Sequence, residues 1–337
     1  MPLRSTRQLR GLRIEVQAGD ILAFPCDLIV LKHAQELYGA DQAFFQSLPR
    51  RQAKPILDRA PAPGQSLTIE SDGYTAAPTI TFVGTPRLYS LEYSEVRALG
   101  VRAVDAATTA ERPVRHLALT VHGPGFGLDE EESFEALLAG LVEGAEARPD
   151  NSALERVTIV ERDVPRSRRF QALLAELLPA TGPVAAGPPT PAVEVSDRLE
   201  TAGVSSDDKD HVFVAMPFSP DFDDSFRYGI QPVVRDAGLL CERVDESSFS
   251  GEIMKRIRNK IRTAVLVIAD LTDSNPNVYL EVGFAWGCGV PTILVVRDVE
   301  QLKFDTKAYR TLEYTSIHEL ETKLSKELPA ILKDAKV

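Results

Sequence analysis

Asp245, Asp270, Asn275, Asn277 and Glu281 are the residues of this chain whose types and spacing best suit chemistry. All are acids or amides, and each follows an apolar run of strand character. That set suits work at a sugar C1′. Breaking an N-glycosidic bond builds oxocarbenium-like positive charge on the ribose, and one carboxylate can stabilise that charge or attack C1′ directly. Amides and a second acid can hold the ribose hydroxyls. Other chemistries lack their residues. Met216-Pro217-Phe218-Ser219-Pro220 cannot serve as a dinucleotide glycine fingerprint. A lysine phosphate loop, a Gly-x-Ser-x-Gly elbow and a His/Cys metal cluster are missing from the sequence. A structural use competes on equal terms: Glu281 as an acid in a helix's first turns, Asp270 as a loop cap, and Asn275 or Asn277 as an N-cap.

The elements that must position these residues form a βαβ series. His211–Met216, Leu239–Arg243, Ala264–Ala269 and Pro291–Val296 read as strands, with a short fifth at Leu312–Tyr314. Helices are predicted over Asp221–Arg235, with a kink at Pro232, and over Gly251–Thr263, Asn277–Gly287 and Ile317–Leu332. Alternation of this kind predicts a parallel sheet with helices on both faces, where ligands bind beyond the carboxyl ends of the strands. Asp270 ends the third strand, and Glu281 lies just inside the helix that follows. Arg227, Lys255, Arg256, Arg258, Lys260 and Arg262 are candidate phosphate contacts that read equally as a solvated helix face.

The first half mixes strands (Leu12–Val16, Leu28–Leu31, Ser66–Glu70, Thr79–Val83, His116–Val121, Arg156–Val160) with amphipathic helices over Asp129–Ala147 and Ser167–Leu178. The loop His122-Gly123-Pro124-Gly125-Phe126-Gly127 joins a strand to a helix. Gly123, Gly125 and Gly127 would let backbone N–H groups approach a phosphate. Asp129 to Glu132, which follow at once, favour a structural turn instead. Proline and small residues make 179–210 a linker between domains at 1–178 and 211–337.

Two resemblances add to this reading. Ile14-Glu15-Val16-Gln17-Ala18-Gly19-Asp20-Ile21, Cys26-Asp27-Leu28-Ile29-Val30 and the Gly123–Gly127 loop resemble a macro domain, or the related N-terminal domain of leucyl aminopeptidases. The likeness implies that Asp20 contacts the adenine end of an ADP-ribose and that the glycine loop cradles its phosphates. Leu31-Lys32-His33 departs from the family's Asn-rich stretch. Val214-Ala215-Met216-Pro217-Phe218, Ala269-Asp270-Leu271-Thr272, Asn275-Pro276-Asn277-Val278-Tyr279-Leu280-Glu281-Val282-Gly283-Phe284-Ala285 and Phe304-Asp305 with Arg310 look like bacterial TIR-like domains, similar in turn to nucleoside 2-deoxyribosyltransferases. This second likeness implies a flavodoxin-like sheet, Glu281 as the catalytic glutamate and Asp270 as the acid ending the preceding strand. It also implies substrate contacts at Met216, Pro217, Phe218 and Arg310. Relatives of that kind cleave NAD, often in antiviral immunity, or move deoxyribose between bases. Many TIR domains only assemble.

The composition bounds these readings. A chain of 337 residues suggests two domains. A net charge of −11 is a poor match for nucleic-acid backbones. No apolar run approaches the roughly 18 residues a membrane helix needs. Cys26, Cys241 and Cys288 read as small buried thiols. The expectation is therefore a two-domain α/β protein of the cytoplasm. Its macro-like half senses a nucleotide signal or mediates assembly, and its TIR-like half hydrolyses NAD or a related nucleotide as a homo-oligomer. No metal or cofactor is expected beyond NAD as substrate. A deoxyribosyltransferase or N-glycosidase, and a non-catalytic nucleotide-binding assembly module, are the alternatives.

Overall fold

The computed structural model describes residues 4–9, 11–179, 192–244, 251–303, 306 and 309–335. The chain divides into two units, one of Met1–Gly123 with Glu131–Asp207, the other of Pro124–Glu130 with Asp208–Val337.

Unit 1 holds β1 (Arg4–Gln8), β2 (Arg13–Ala18), β3 (Leu28–His33), α1 (Ala40–Ser47), α2 (Arg50–Leu57), β4 (Ser66–Glu70), β5 (Thr79–Gly84), α3 (Tyr93–Thr108), β6 (His116–Leu119), α4 (Glu130–Ala147), β7 (Arg156–Glu161), α5 (Val164–Leu177), β8 (Ala192–Ser196) and α6 (Arg198–Thr201). Its six-stranded sheet runs β2-β7-β6-β3-β5-β4, parallel except for β4 against β5. β3 is buried along its whole length, as its unbroken apolar run predicts for a central parallel strand. Ile29 and Leu31 pack with Phe44, Phe45, Ile80 and Phe82. β1 and β8 pair antiparallel as a separate two-stranded sheet. The expected linker over 179–210 therefore meets a different structure. Residues 180–191 lie outside the described residues, whereas β8, α6 and a short turn of helix at Ser206–Asp208 follow.

α3 and α4 pack so closely that a Cβ on Gly140 would stand 1.9 Å from the Arg97 carbonyl oxygen. Only glycine permits that approach. Gly100 faces the Leu137 carbonyl in the same crossing, where an added Cβ would lie 2.5 Å away.

Unit 2 holds β9 (His211–Ala215), α7 (Pro220–Asp224), α8 (Gln231–Asp236), β10 (Leu240–Glu242), α9 (Gly251–Thr263), β11 (Leu266–Asp270), α10 (Pro276–Gly287), β12 (Thr292–Val296), β13 (Thr311–Glu313) and α11 (Ile317–Ala335). Its sheet is all parallel, ordered β10-β9-β11-β12-β13. Val212, Val214, Leu266 and Ile268 meet Phe222, Ile230, Leu320, Leu324 and Leu328 in a core on one face. The single helix expected over Asp221–Arg235 is broken, because a π-turn at Ser225–Ile230 separates α7 from α8. Pro232 has no N–H to donate, and the wider turn lets the chain restart with Pro232 in the first turn of α8, where that loss is harmless.

The Pro124–Glu130 segment is bonded into unit 2. Phe126 bridges Val244 in antiparallel fashion, and the Gly127 N–H donates to the Arg243 carbonyl at 3.2 Å. The buried Asp129 carboxylate accepts the Cys241 N–H at 3.0 Å and stands 3.3 Å from the Arg235 guanidinium. β10 is an outer strand of its sheet, and these bonds satisfy backbone groups at its free edge.

Candidate functional site

In unit 2 the strand order reverses between β9 and β11, and the crevice beyond their carboxyl ends is where doubly wound sheets hold ligands. Met216-Pro217-Phe218 leaves β9 at that point, and Asp270 ends β11. Met216 is buried and Phe218 is 41 % exposed.

Asp270 is 0 % exposed and fully engaged. Its Oδ1 accepts the Thr272 N–H at 3.0 Å, and its Oδ2 accepts the Tyr314 hydroxyl at 2.7 Å. Burial pushes the Asp270 pKa up, and those two donors with Arg297 pull against the rise. Burial likewise raises the Tyr314 pKa, and the Asp270 charge adds to it. The Thr272 hydroxyl accepts the Arg297 N–H at 3.1 Å. The Arg297 side chain reaches the Asp221 carbonyl at 2.8 Å and the Ser225 hydroxyl at 3.1 Å. Asp270 thus ties the carboxyl ends of β11 and β13 to the loop leading to α10.

That loop carries Asp273 and Ser274 at φ of 62° and 52°, a region non-glycine residues seldom occupy. Asn275 then caps α10, its Oδ1 accepting the Asn277 N–H at 2.9 Å, with Pro276 in the first turn. The structural use of Asn275 is therefore realised, and Asn277, half-buried, sits beside it in that turn. Glu281 follows on α10 and is only 5 % exposed. A solvated helix-end acid would be exposed, so Glu281 is placed unlike one.

Other expected residues lie elsewhere. Arg310 is 77 % exposed on its side chain and pairs with Glu327 of α11 at 2.8 Å. Asp305 and Asp245 lie outside the described residues. Of the cysteines, Cys241 is buried and Cys26 half-buried, but Cys288, at the C-cap of α10, is exposed. Burial pushes the Cys26 thiol up to about 12.

Three further residues stand at this edge that the candidate set does not include: Arg243, Arg297 and Tyr314. Each directly follows a strand (β10, β12 and β13), and that position is the signal that marks them in the sequence.

In unit 1, Asp20 follows β2. Its Oδ1 accepts the Leu22 N–H at 3.0 Å, and its Oδ2 lies 3.6 Å from Arg162. At Leu31-Lys32-His33, which departs from the macro-type Asn-rich stretch, the buried Lys32 donates to the buried Asp41 at 2.9 Å and to the Tyr38 carbonyl at 2.8 Å at the end of β3. Burial lowers the Lys32 pKa and Asp41 opposes the fall. His122 is held well below its ordinary pKa by burial and by Lys32, and its ring meets the Thr120 hydroxyl at 3.2 Å. Gly123 stays in unit 1, whereas Gly125 and Gly127 belong to unit 2, with the Gly127 N–H spent on Arg243. At Gly127 that bond is a structural use of the loop.

Among the described residues no group of three or more His, Cys, Asp or Glu side chains could hold a metal ion, and no helix is long and apolar enough to cross a membrane.

No family model matches the chain. No curated protein matches it either. Solved structures do resemble its N-terminal half. That likeness is to macrodomains. A mutant of the Oceanobacillus iheyensis macrodomain with ADPR is similar at 12 % identity over 52 % of this chain and 98 % of that chain, with a TM-score of 0.43. The Trypanosoma brucei macrodomain in complex with ADP-ribose is similar at 12 % identity, covering 50 % of this chain and 74 % of that one, with a TM-score of 0.42. The macrodomain of Thermus aquaticus DarG is similar at 18 % identity over 45 % of this chain and 99 % of that one, with a TM-score of 0.36. The mixed sheet of unit 1 and the separate all-parallel sheet of unit 2 make the chain an α/β protein.

Proposed function

We propose that unit 2 cleaves the N-glycosidic bond of a nucleotide, NAD foremost, with Glu281 as the carboxylate at C1′. The observation that carries this reading is the placement of Glu281. It is an almost fully buried acid on the helix that starts beyond the carboxyl end of β11, beside the point where the strand order reverses. The order 2-1-3-4-5, counted within the unit, is the flavodoxin-type order of doubly wound sheets and supports the TIR-like reading.

In this mechanism the C1′–N bond breaks and its electron pair leaves with the base nitrogen. The ribosyl cation that develops is stabilised by the Glu281 carboxylate or captured by it as an ester. Water then adds its oxygen to C1′ and gives up a proton; where the ester has formed, the C1′–O bond to Glu281 breaks and its electron pair returns to the carboxylate. Asp270, saturated by Thr272 and Tyr314, acts as a positioning residue that fixes the 271–275 loop ahead of α10. Met216 and Pro217 line the same edge, Asn277 contacts ribose hydroxyls, and Arg310 is assigned to the outer, anionic part of the substrate. Unit 1 takes a nucleotide signal of the ADP-ribose class, with Asp20 as its contact, and turnover in a defence-type effector waits on that signal and on self-assembly.

Incubation with NAD, with and without ADP-ribose, tests the reaction by nicotinamide release. Glu281→Gln should lower release at least about a hundredfold, the scale of a lost nucleophile or charge stabiliser. Release unchanged by Glu281→Gln would remove the assigned role. The exposed Phe218 ring at the same edge favours a second reading, base transfer or hydrolysis on a purine or pyrimidine deoxynucleotide. That reading predicts base release from deoxynucleotides without any from NAD.

A further inference from the structure

Arg243 follows β10 directly and is 8 % exposed. Its guanidinium carbon stands 4.1 Å from the centre of the Phe218 ring and 4.2 Å from the centre of the Phe226 ring. Phe226 is buried and Phe218 is 41 % exposed, so the cation touches both a ring of the core and a ring that reaches solvent. Nη2 donates to Asp223 at 3.2 Å, and Asp223 shares its charge with Arg227 at 3.7 Å. Nη1 is buried without a hydrogen-bond acceptor. The guanidinium is therefore held by ring faces as much as by anions, and it keeps its charge because arginine does not deprotonate in proteins.

A cation behind an aromatic ring has two effects on the ring's open face. It fixes the ring in place, so a ligand that stacks there orders little protein. It also draws the π density toward itself. The outer face loses the negative character that attracts cations and becomes better suited to an electron-rich neighbour.

We propose that Phe218 is a stacking platform for the uncharged base of a nucleotide, and that Arg243 is the specificity-determining residue that turns away a cationic pyridinium ring. The assignment rests on the reading of this strand edge as a nucleotide site. For NAD it places the adenine end, not the nicotinamide, on Phe218. A pyridinium stacked there would lie roughly 7 to 8 Å from the guanidinium charge. At the dielectric of a protein surface, with Asp223 offsetting part of the charge, the penalty amounts to about fivefold in affinity.

AMP and nicotinamide mononucleotide share a ribose 5-phosphate and differ in the charge of the base, so they are the probes. Calorimetric titration of the full chain should give tighter binding of AMP. Arg243→Met, which keeps the bulk and removes the charge, should reduce the AMP preference about fivefold, while Arg243→Lys should retain most of it. A structural role alone would weaken both ligands alike and leave the ratio unmoved. Should Arg243→Met fail to fold, Phe218→Leu at the exposed ring serves instead and should erase the AMP preference. An unchanged ratio in Arg243→Met, an unchanged AMP affinity in Phe218→Leu, tighter binding of nicotinamide mononucleotide by the wild type, or binding of neither ligand would each overturn the proposal. Glu281→Gln separates the two readings. Lost base release with intact AMP binding supports both, and full release with an Arg243-dependent ratio sinks the reaction while leaving the platform standing.

Discussion

Removing the Tyr314 hydroxyl isolates the knot around Asp270. Tyr314→Phe keeps the ring, itself buried, and deletes the donor 2.7 Å from a carboxylate that is wholly out of solvent. A hydrogen bond to a charged group contributes about 2 kcal/mol, and a neutral one about 1 kcal/mol. The pH dependence follows from the direction of the Asp270 shift. Burial raises its folded pKa above the ordinary 3.8, so the folded chain holds the proton more tightly than the unfolded chain does. The cost of ionising Asp270 inside the fold therefore appears as pH climbs from the ordinary value through the raised one. Tyr314 opposes that rise, and its loss lifts the folded pKa further. The deficit of Tyr314→Phe should be about 1 kcal/mol at pH 4 and about 2 kcal/mol or more at pH 8, some 5 °C in the melting temperature of unit 2. Trp286, the chain's one tryptophan, lies on α10 and reports that transition by fluorescence. Equal deficits at the two pH values would refute the coupling, and no deficit at either would refute the bond's contribution.

Two further outcomes concern unit 1. Gly140→Ala forces a methyl to within 1.9 Å of a backbone oxygen on α3, and the helices must separate. The expected loss is about 3 kcal/mol, read as a lowered transition of unit 1 in a calorimetric scan, with Gly140→Ser at least as damaging. Lys32→Met strands the Asp41 carboxylate in the core and should cost about 3 to 5 kcal/mol by the same scan, whereas Lys32→Met with Asp41→Leu should recover most of it. A double variant as unstable as the single one would mean that the pair holds more than itself.

The strands were legible because buried parallel strands need unbroken apolar runs, and β3, β9, β11 and β12 have them. α3 was not, for a physical reason. Its buried face is Tyr93, Val96, Leu99, Gly100, Ala103, Val104 and Ala107, and the small residues that permit a close crossing with α4 weaken the apolar stripe that announces a helix. α1 and α2 are eight residues each, and α2 carries Pro55 inside it, so neither offers a long periodic pattern. β1, Arg-Ser-Thr-Arg-Gln, has no apolar alternation, and only its pairing with β8 makes it a strand. At the site, Glu281, Asp270 and the Asn275 cap could be placed from their spacing after β11. The Lys32–Asp41 pair could not, because nothing local ties an acid in α1 to a lysine at the end of β3. The glycine loop's composition fits a phosphate, but the acids that follow it favoured a structural turn, and the Gly127 N–H and Asp129 have partners within unit 2.

That last feature bears on how such a protein is inherited and made. A gene segment encoding residues 208–337 looks like a portable cassette, yet it omits Pro124–Glu130, which finishes the open side of β10. Moved alone into another gene, it would arrive with a raw strand edge, prone to pair with any neighbour. On the ribosome the missing piece is made first and must wait for its strand. The C-terminal unit is thus the last to be completed, and it cannot be completed without a stretch of chain that the N-terminal sequence carries.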